Sequence, residues 1–290
     1  MVRDQASSLR RRLEISKSPR QAKTIAIVSG KGGVGKSNVA LNFSLELLKQ
    51  EKKVLLFDLD VGMGNIDILL GLQAKKSIVD MFQEHLPVHD IIETGPRGLA
   101  YVSAGSALSD FFALNYENRE YFLSEYEKLI EIYDYIIFDM GAGATSDSLS
   151  IIIAADECIV VTTPEPTAIT DAYGMIKYIL SNRSTMPISV IMNRSASTKS
   201  GRKALDRFHQ VVFKFLDSEI NKLGILPDDK TVSTAVIRQI PYVLLNEKAP
   251  VSKAVNEIAT NYVMDRQEDL VIKRKSSSFV QKLKQLMIER

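Results

Sequence analysis

Residues 30 to 37 read Gly-Lys-Gly-Gly-Val-Gly-Lys-Ser, two lysines set among four glycines. The stretch fits G-x-x-x-x-G-K-[ST], follows the apolar run Thr24 to Ser29 and opens a segment with apolar residues at helical spacing. The chemistry of that pattern is phosphate capture. Backbone N–H groups that turn inward around phosphate oxygens need glycine, because a Cβ would obstruct the path. Gly30, Lys31, Gly32, Gly33, Val34 and Gly35 form the loop; Lys36 reaches terminal phosphates, Ser37 contacts Mg²⁺, and the helix N-terminus adds partial positive charge. Two other strand ends supply acids, Asp58 and Asp60 in Phe-Asp-Leu-Asp and Asp139 in Tyr-Ile-Ile-Phe-Asp. An apolar strand ending in Asp holds Mg²⁺ indirectly in phosphate-loop enzymes. A lone strand-end Asp is usually a turn former, but three at the sheet edge that carries the loop favour the chemical role.

The elements that must position these groups alternate along the chain. Short β-branched runs fall at 24 to 29, 53 to 58, 100 to 104, 135 to 139, 158 to 163 and 188 to 193, with a weaker one at 224 to 227. Between them lie segments with apolar residues three and four apart. Continuous apolar strands separated by helices predict an α/β fold, a mostly parallel central sheet covered by helices on both faces. Ligands in such sheets sit beyond the carboxyl ends of the strands. The expected organisation is a basic arm over 1–23, one phosphate-loop NTPase domain over 24–265, and a linker with a C-terminal helix over 266–290.

Composition narrows the function classes. The 290 residues are 45% apolar and 25% charged with a formal net charge of +2, an ordinary globular balance that argues against a generally nucleic-acid-coated protein. No apolar run reaches transmembrane length and no apolar signal core follows the basic start, so a cytosolic location is expected. The single cysteine, Cys158, precludes a disulfide or thiolate cluster within one chain. His85, His89 and His209 have no metal-site spacing and are expected at the surface.

Charge gathers at the two ends. Residues 1 to 23 hold seven basic and two acidic residues, and residues 273 to 290 hold six and one, a pattern that favours phosphates or an acidic partner. In the second segment Phe279, Val280, Leu283, Leu286 and Met287 fall within a sector of roughly 120° on a helix, flanked by lysines. That is the pattern of a short helix lying in an anionic membrane surface, reversibly peripheral; a terminal helix docked on its own core is the alternative. Residues 201 to 223 place Leu205, Val212, Leu216, Ile220 and Leu223 on one helical stripe, widened by Phe208, Val211 and Phe215 beside Arg207 and Lys214. Such breadth suits a protein-binding surface, or burial under a neighbouring helix.

The loop at 30 to 37, Asp-Leu-Asp-Val-Gly-Met-Gly-Asn-Ile-Asp at 58 to 67 and Phe-Asp-Met-Gly-Ala-Gly at 138 to 143 together resemble the deviant Walker A ATPases of the MinD/ParA class over roughly residues 23 to 263. The resemblance implies Mg²⁺-dependent hydrolysis of ATP to ADP by a homodimer in which Lys31 crosses to the partner's phosphates. By the same resemblance Asp60 would position the attacking water, Asp58 would support Mg²⁺, and Asp139, Gly141 and Gly143 would sense the γ-phosphate. Asn193, Pro227 and Asp228 would hold the adenine base. Met140 departs from the small polar residue that many relatives carry. No glutamine stands beside Asp139, so turnover is expected to be slow.

Asp4 to Glu14, Asp-Gln-Ala-Ser-Ser-Leu-Arg-Arg-Arg-Leu-Glu, resembles the DQAxxLR segment of the MinD-like regulators of flagellar number and placement (the FlhG or YlxH family). There it docks as a helix onto the signal-recognition-type GTPase FlhF and stimulates it, which would fall to Gln5 and Leu9 here. The same resemblance directs the Arg207 and Phe215 surface to a flagellar C-ring protein. Two other readings stay open: a DNA-partitioning ATPase that lays its basic ends on phosphates, and a scaffold that binds nucleotide without significant turnover.

Overall fold

The computed structural model describes residues 21–60, 65–104, 116–143, 146–269 and 279–288. Among them the β-branched runs become β1 (Lys23–Val28), β2 (Val54–Leu59), β4 (Ala100–Val102), β5 (Tyr135–Met140), β6 (Glu157–Thr162), β7 (Ile188–Ser195) and β8 (Asn221–Pro227), with a two-residue β3 (Glu93–Thr94) before β4. They form one sheet in the order β3-β4-β2-β5-β1-β6-β7-β8. Every pairing is parallel except β3 with β4. β3 carries no apolar run and escapes a pattern search.

Alternation along the strands divides the core between two faces. From β5, Ile136 and Phe138 join one buried cluster while Tyr135 and Ile137 join the other. The second face is covered by α1 (Lys36–Lys49), α2 (Ile66–Leu70), α8 (Lys230–Arg238), α9 (Tyr242–Leu245) and α10 (Pro250–Asp269). The first face is covered by α3 (Ile78–Gln83), α4 (Tyr116–Leu129), α5 (Ser146–Ala154), α6 (Pro166–Asn182), α7 (Thr198–Leu216) and α11 (Phe279–Ile288). The inner strands β1, β2, β5, β6 and β7 are therefore buried on both sides, which explains their unbroken apolar character, while the outermost strands β3 and β8 are largely half-buried or exposed.

One expectation needs correction, and the C-terminal stripe takes the second of its two expected places. The stripe over 201 to 223 is not one helix: α7 stops at Leu216, where Asp217 turns left-handed (φ 48°) and the Ser218 hydroxyl donates to the Leu216 carbonyl. Leu223 belongs to β8, and Phe208 is core rather than surface. The C-terminal stripe lies against its own protein in this conformation. Phe279, Val280 and Leu283 are buried, and Phe279 packs 4.6 Å from the Tyr126 ring and 5.6 Å from Phe138, centroid to centroid. Lys282 Nζ pairs with Asp156 Oδ1 at 2.8 Å and Lys284 Nζ approaches Glu120 Oε2 at 3.9 Å. The same amphipathicity that suits a bilayer suits an aromatic groove, and the groove is within reach.

Candidate functional site

β1 ends at Val28 and α1 begins at Lys36, so residues 29 to 35 form the connecting loop. Gly33 and Gly35 take φ of 79° and 88°, a conformation that a Cβ strains, and a Cβ built on Gly33 would meet nothing within 4 Å. The loop is thus an open cradle at the head of a helix. Lys36 is buried; its Nζ makes a short contact with Asp139 Oδ1, lies 3.8 Å from Asp60 Oδ2 and 3.4 Å from Ser37 Oγ.

Strand register brings the acids together. Asp58 and Asp139 are direct partners across β2 and β5. Asp58 accepts backbone N–H bonds from Asp60 (3.1 Å), Asn65 (2.8 Å) and Ile66 (3.0 Å), which tie the strand end to the start of α2. Burial and the neighbouring Asp139 charge nevertheless push its carboxyl up to about 7. Burial also raises Asp60, against the pull of Lys36. Asn65 Nδ2 donates to Asp60 Oδ2 at 3.3 Å and orients it, a role not assigned from the motif.

These residues fit a phosphate with a divalent cation. A buried lysine rests on acids where phosphate oxygens would otherwise take its charge, and Asp139 Oδ2 is buried with no hydrogen-bond partner among the described residues. Gly143 N–H donates to the Ser29 carbonyl at 3.1 Å, and a Cβ on Gly32 would lie 3.9 Å from Ala142 Cβ, so the loop after β5, with Gly141, borders the phosphate loop.

The remaining expected residues spread over the same edge and beyond it. Lys31 reaches the start of α6, its Nζ 3.1 Å from Thr167 Oγ1 and 3.8 Å from Glu165 Oε2. Asn193 at the end of β7 donates through Nδ2 to the Val34 carbonyl at 2.8 Å and so supports the phosphate loop. Pro227 ends β8, and exposed Asp228 follows it with its N–H on the Ser195 carbonyl. Arg207 and Phe215 are exposed on α7, with Lys214 Nζ 5.4 Å from the Phe215 ring centroid. Leu286 is half-buried on α11. Gln5, Leu9 and the Met287 side chain lie outside the described residues.

A parallel sheet whose first strand runs through a glycine cradle into a helix, with strand-end carboxylates beside the helix lysine, defines a phosphate-loop NTPase. A family model described as ParA, NUBPL iron-transfer P-loop NTPase, matches residues 20–263, and the chain belongs to this MinD/ParA family of P-loop ATPases. It is 33% identical to antiactivator FleN of Pseudomonas aeruginosa over 215 residues, 74% of this chain and 77% of that one. It is 32% identical to the flagellum site-determining protein YlxH of Helicobacter pylori over 227 residues, 74% and 72% of the two chains. Among solved structures, the MinC:MinD cell division protein complex of Aquifex aeolicus is similar at 29% identity and a TM-score of 0.68, covering 84% of this chain and 96% of that one. MinD of Pyrococcus horikoshii, complexed with Mg-ADP, shares the fold at a TM-score of 0.68 and 23% identity, over 87% and 100% of the chains.

Proposed function

We propose that this chain is a Mg²⁺-dependent ATPase that pairs with a second copy on ATP, settles on an anionic membrane surface through α11, and governs flagellar number and placement. The observation that carries the reading is one sheet edge where Lys36 rests on Asp139 and Asp60 while Lys31 reaches Glu165 and Thr167 at the start of α6. Similarity to proteins named as an antiactivator and as a flagellum site-determining protein supports the biological half. Iron transfer, named in the family description, lacks support here, because the one cysteine is buried in β6.

Phosphate oxygens would draw Lys36 from Asp139, and the glycine cradle with the head of α1 would hold them. Ser37, Asp58 and Asp139 would hold Mg²⁺, which would supply positive charge against the terminal phosphates. Asp60, oriented by Asn65, positions the attacking water. Asn193, Pro227 and Asp228 hold the base. Lys31 from each copy completes the charge at the other copy's phosphates, and hydrolysis returns the protein to single copies.

Coupling to α11 has a short path. Phe138, which packs on Phe279, directly precedes Asp139, and α5, packed against α11, follows the loop of Gly141 and Gly143. A rearrangement around the γ-phosphate therefore reaches the seat of α11. Once released, Phe279, Val280, Leu283, Leu286 and Met287 can face lipid, and anionic headgroups replace Asp156 and Glu120 as partners of Lys282 and Lys284. Gln5 and Leu9 engage the GTPase FlhF, and Arg207 with Phe215 engages a flagellar C-ring protein.

Sedimentation with a non-hydrolysable ATP analogue and Mg²⁺ tests the core of this reading. The protein is expected to pair, Lys31→Ala to remain single, and anionic liposomes to retain the pair unless residues 276–290 are deleted. Single copies at millimolar nucleotide would overturn it. Salt-sensitive retention on DNA in place of liposomes would favour partitioning.

A further inference from the structure

The seat of α11 adjoins the root of the N-terminal arm. Ala22 donates its N–H to the Ile130 carbonyl at 2.7 Å, and Thr24 Oγ1 meets the Tyr126 hydroxyl at 2.6 Å, so the chain enters β1 beside the aromatic groove that Phe279 fills. The acid that holds Lys282 belongs to the same corner. Asp156 accepts from Lys282 Nζ through Oδ1 at 2.8 Å and from the Thr24 N–H through Oδ2 at 3.0 Å. When α11 leaves, Tyr126 and Phe138 lose the ring that packs on them, and Asp156 and Glu120 lose their lysines. What is left is an apolar groove edged by two acids, a surface that suits an apolar segment with cations at its flanks.

The sequence of the arm has that form, although residues 1–20 lie outside the described residues. On a helix Val2, Ala6, Leu9 and Leu13 would fall within a sector of roughly 60°, with Arg10 and Arg12 on its two sides. The spacing of Val2, Ala6 and Leu9 repeats that of Phe279, Leu283 and Leu286 on α11. From Thr24 back to Leu13 the chain can reach about 36 Å when extended, whereas the whole of α11 is about 15 Å long, so the tether does not prevent the arm from lying in the same groove. Val2 and Ala6 are smaller than the Phe279 and Leu283 they would replace. α11 is therefore the stronger occupant, and the arm gains the groove only in its absence.

We propose that residues 2–13 of the arm occupy the groove of α11 once α11 has left it, with Arg10 or Arg12 taking the place of Lys282 on Asp156. This rests on the reading above that α11 departs for lipid. Leu9 is then covered by the groove, so the groove and the GTPase compete for one face of the arm. The arm is offered to that partner while α11 is docked and withdrawn while α11 is on the membrane.

Hydrogen exchange of the arm decides it. In the nucleotide-free protein with residues 276–290 deleted, the amides of residues 4–14 are expected to exchange about tenfold more slowly than in the parent, with β5 equally protected in both. Adding Leu9→Asp and Leu13→Asp to the deleted chain should restore the parental rate. Where the deletion unsettles the core, Phe279→Ala in the full chain, which loosens α11 without removing it, should slow the arm in the same direction by a smaller factor. An arm that exchanges at the parental rate in both variants overturns the inference. A deleted chain that pairs without nucleotide in sedimentation, its arm unprotected, overturns it too, since a second copy then covers the groove. Arm protection that survives Leu9→Asp with Leu13→Asp overturns the assigned face and the proposal with it. Release of α11 by an ATP analogue is read on residues 279–288 of the full chain, so failure of that reading and failure of this inference appear in different segments.

Discussion

Asp58 and Asp139 share a level of the sheet, and two carboxylates so placed cannot both carry charge cheaply. Asp58 titrates near 7 in the folded chain against an ordinary 3.8, because of burial first and Asp139 second. Between those values the folded protein holds a proton that the unfolded chain has released. Its contribution to stability is full below about pH 4 and is lost as pH rises through about 7. The unfolding free energy of the nucleotide-free protein, measured by urea titration, should therefore fall over that window by a few kcal/mol, and Asp58→Asn should flatten the fall. Asp60 carries a different expectation. Asp60→Ala should lower phosphate release at least about a hundredfold while pairing on ATP persists, as read by sedimentation alongside a phosphate assay. The three aspartates were legible as acids closing apolar strands. Asn65 was not, since its bond to Asp60 depends on how the intervening residues fold back.

At the scale of elements, the contact between the phosphate loop and α6 leaves no room for a side chain. Gly30→Ala would drive a methyl group into the Asp171 backbone, and the expected outcome is a loss of about 1 to 3 kcal/mol in unfolding free energy together with weaker nucleotide binding. Strand–loop–helix order was readable from local pattern, but the approach of a helix beginning 136 residues beyond Gly30 was not. The C-terminal helix makes the same point. Its amphipathic stripe was visible, yet a stripe alone does not choose between lipid and protein. Phe279→Ala removes the ring seated on Tyr126 and Phe138 and should cost the docked state about 3 kcal/mol. Hydrogen exchange of the α11 amides would then accelerate by roughly a hundredfold while β5 stays protected. Equal acceleration in β5 would mean that α11 is an inseparable part of the core.

Over the whole molecule, nucleotide, pairing and the seat of α11 form one linked equilibrium in the proposed function. An ATP analogue should raise exchange across residues 279–288 by about tenfold or more, and Lys31→Ala should abolish that rise. Unchanged exchange in the paired protein would separate membrane binding from the nucleotide. Glycines that permit positive φ, β-branched runs and strand-end acids act through near neighbours, and so the sequence by itself determined the sheet, the cradle and the identity of its acids. Which surface covers α11, where Lys31 rests, and how Asn193 and Asn65 brace the site were decided only by the tertiary structure. Each is a competition between groups far apart in the chain or joined through a folded loop, and the outcome is set by distance and burial in the assembled fold, which no local pattern encodes.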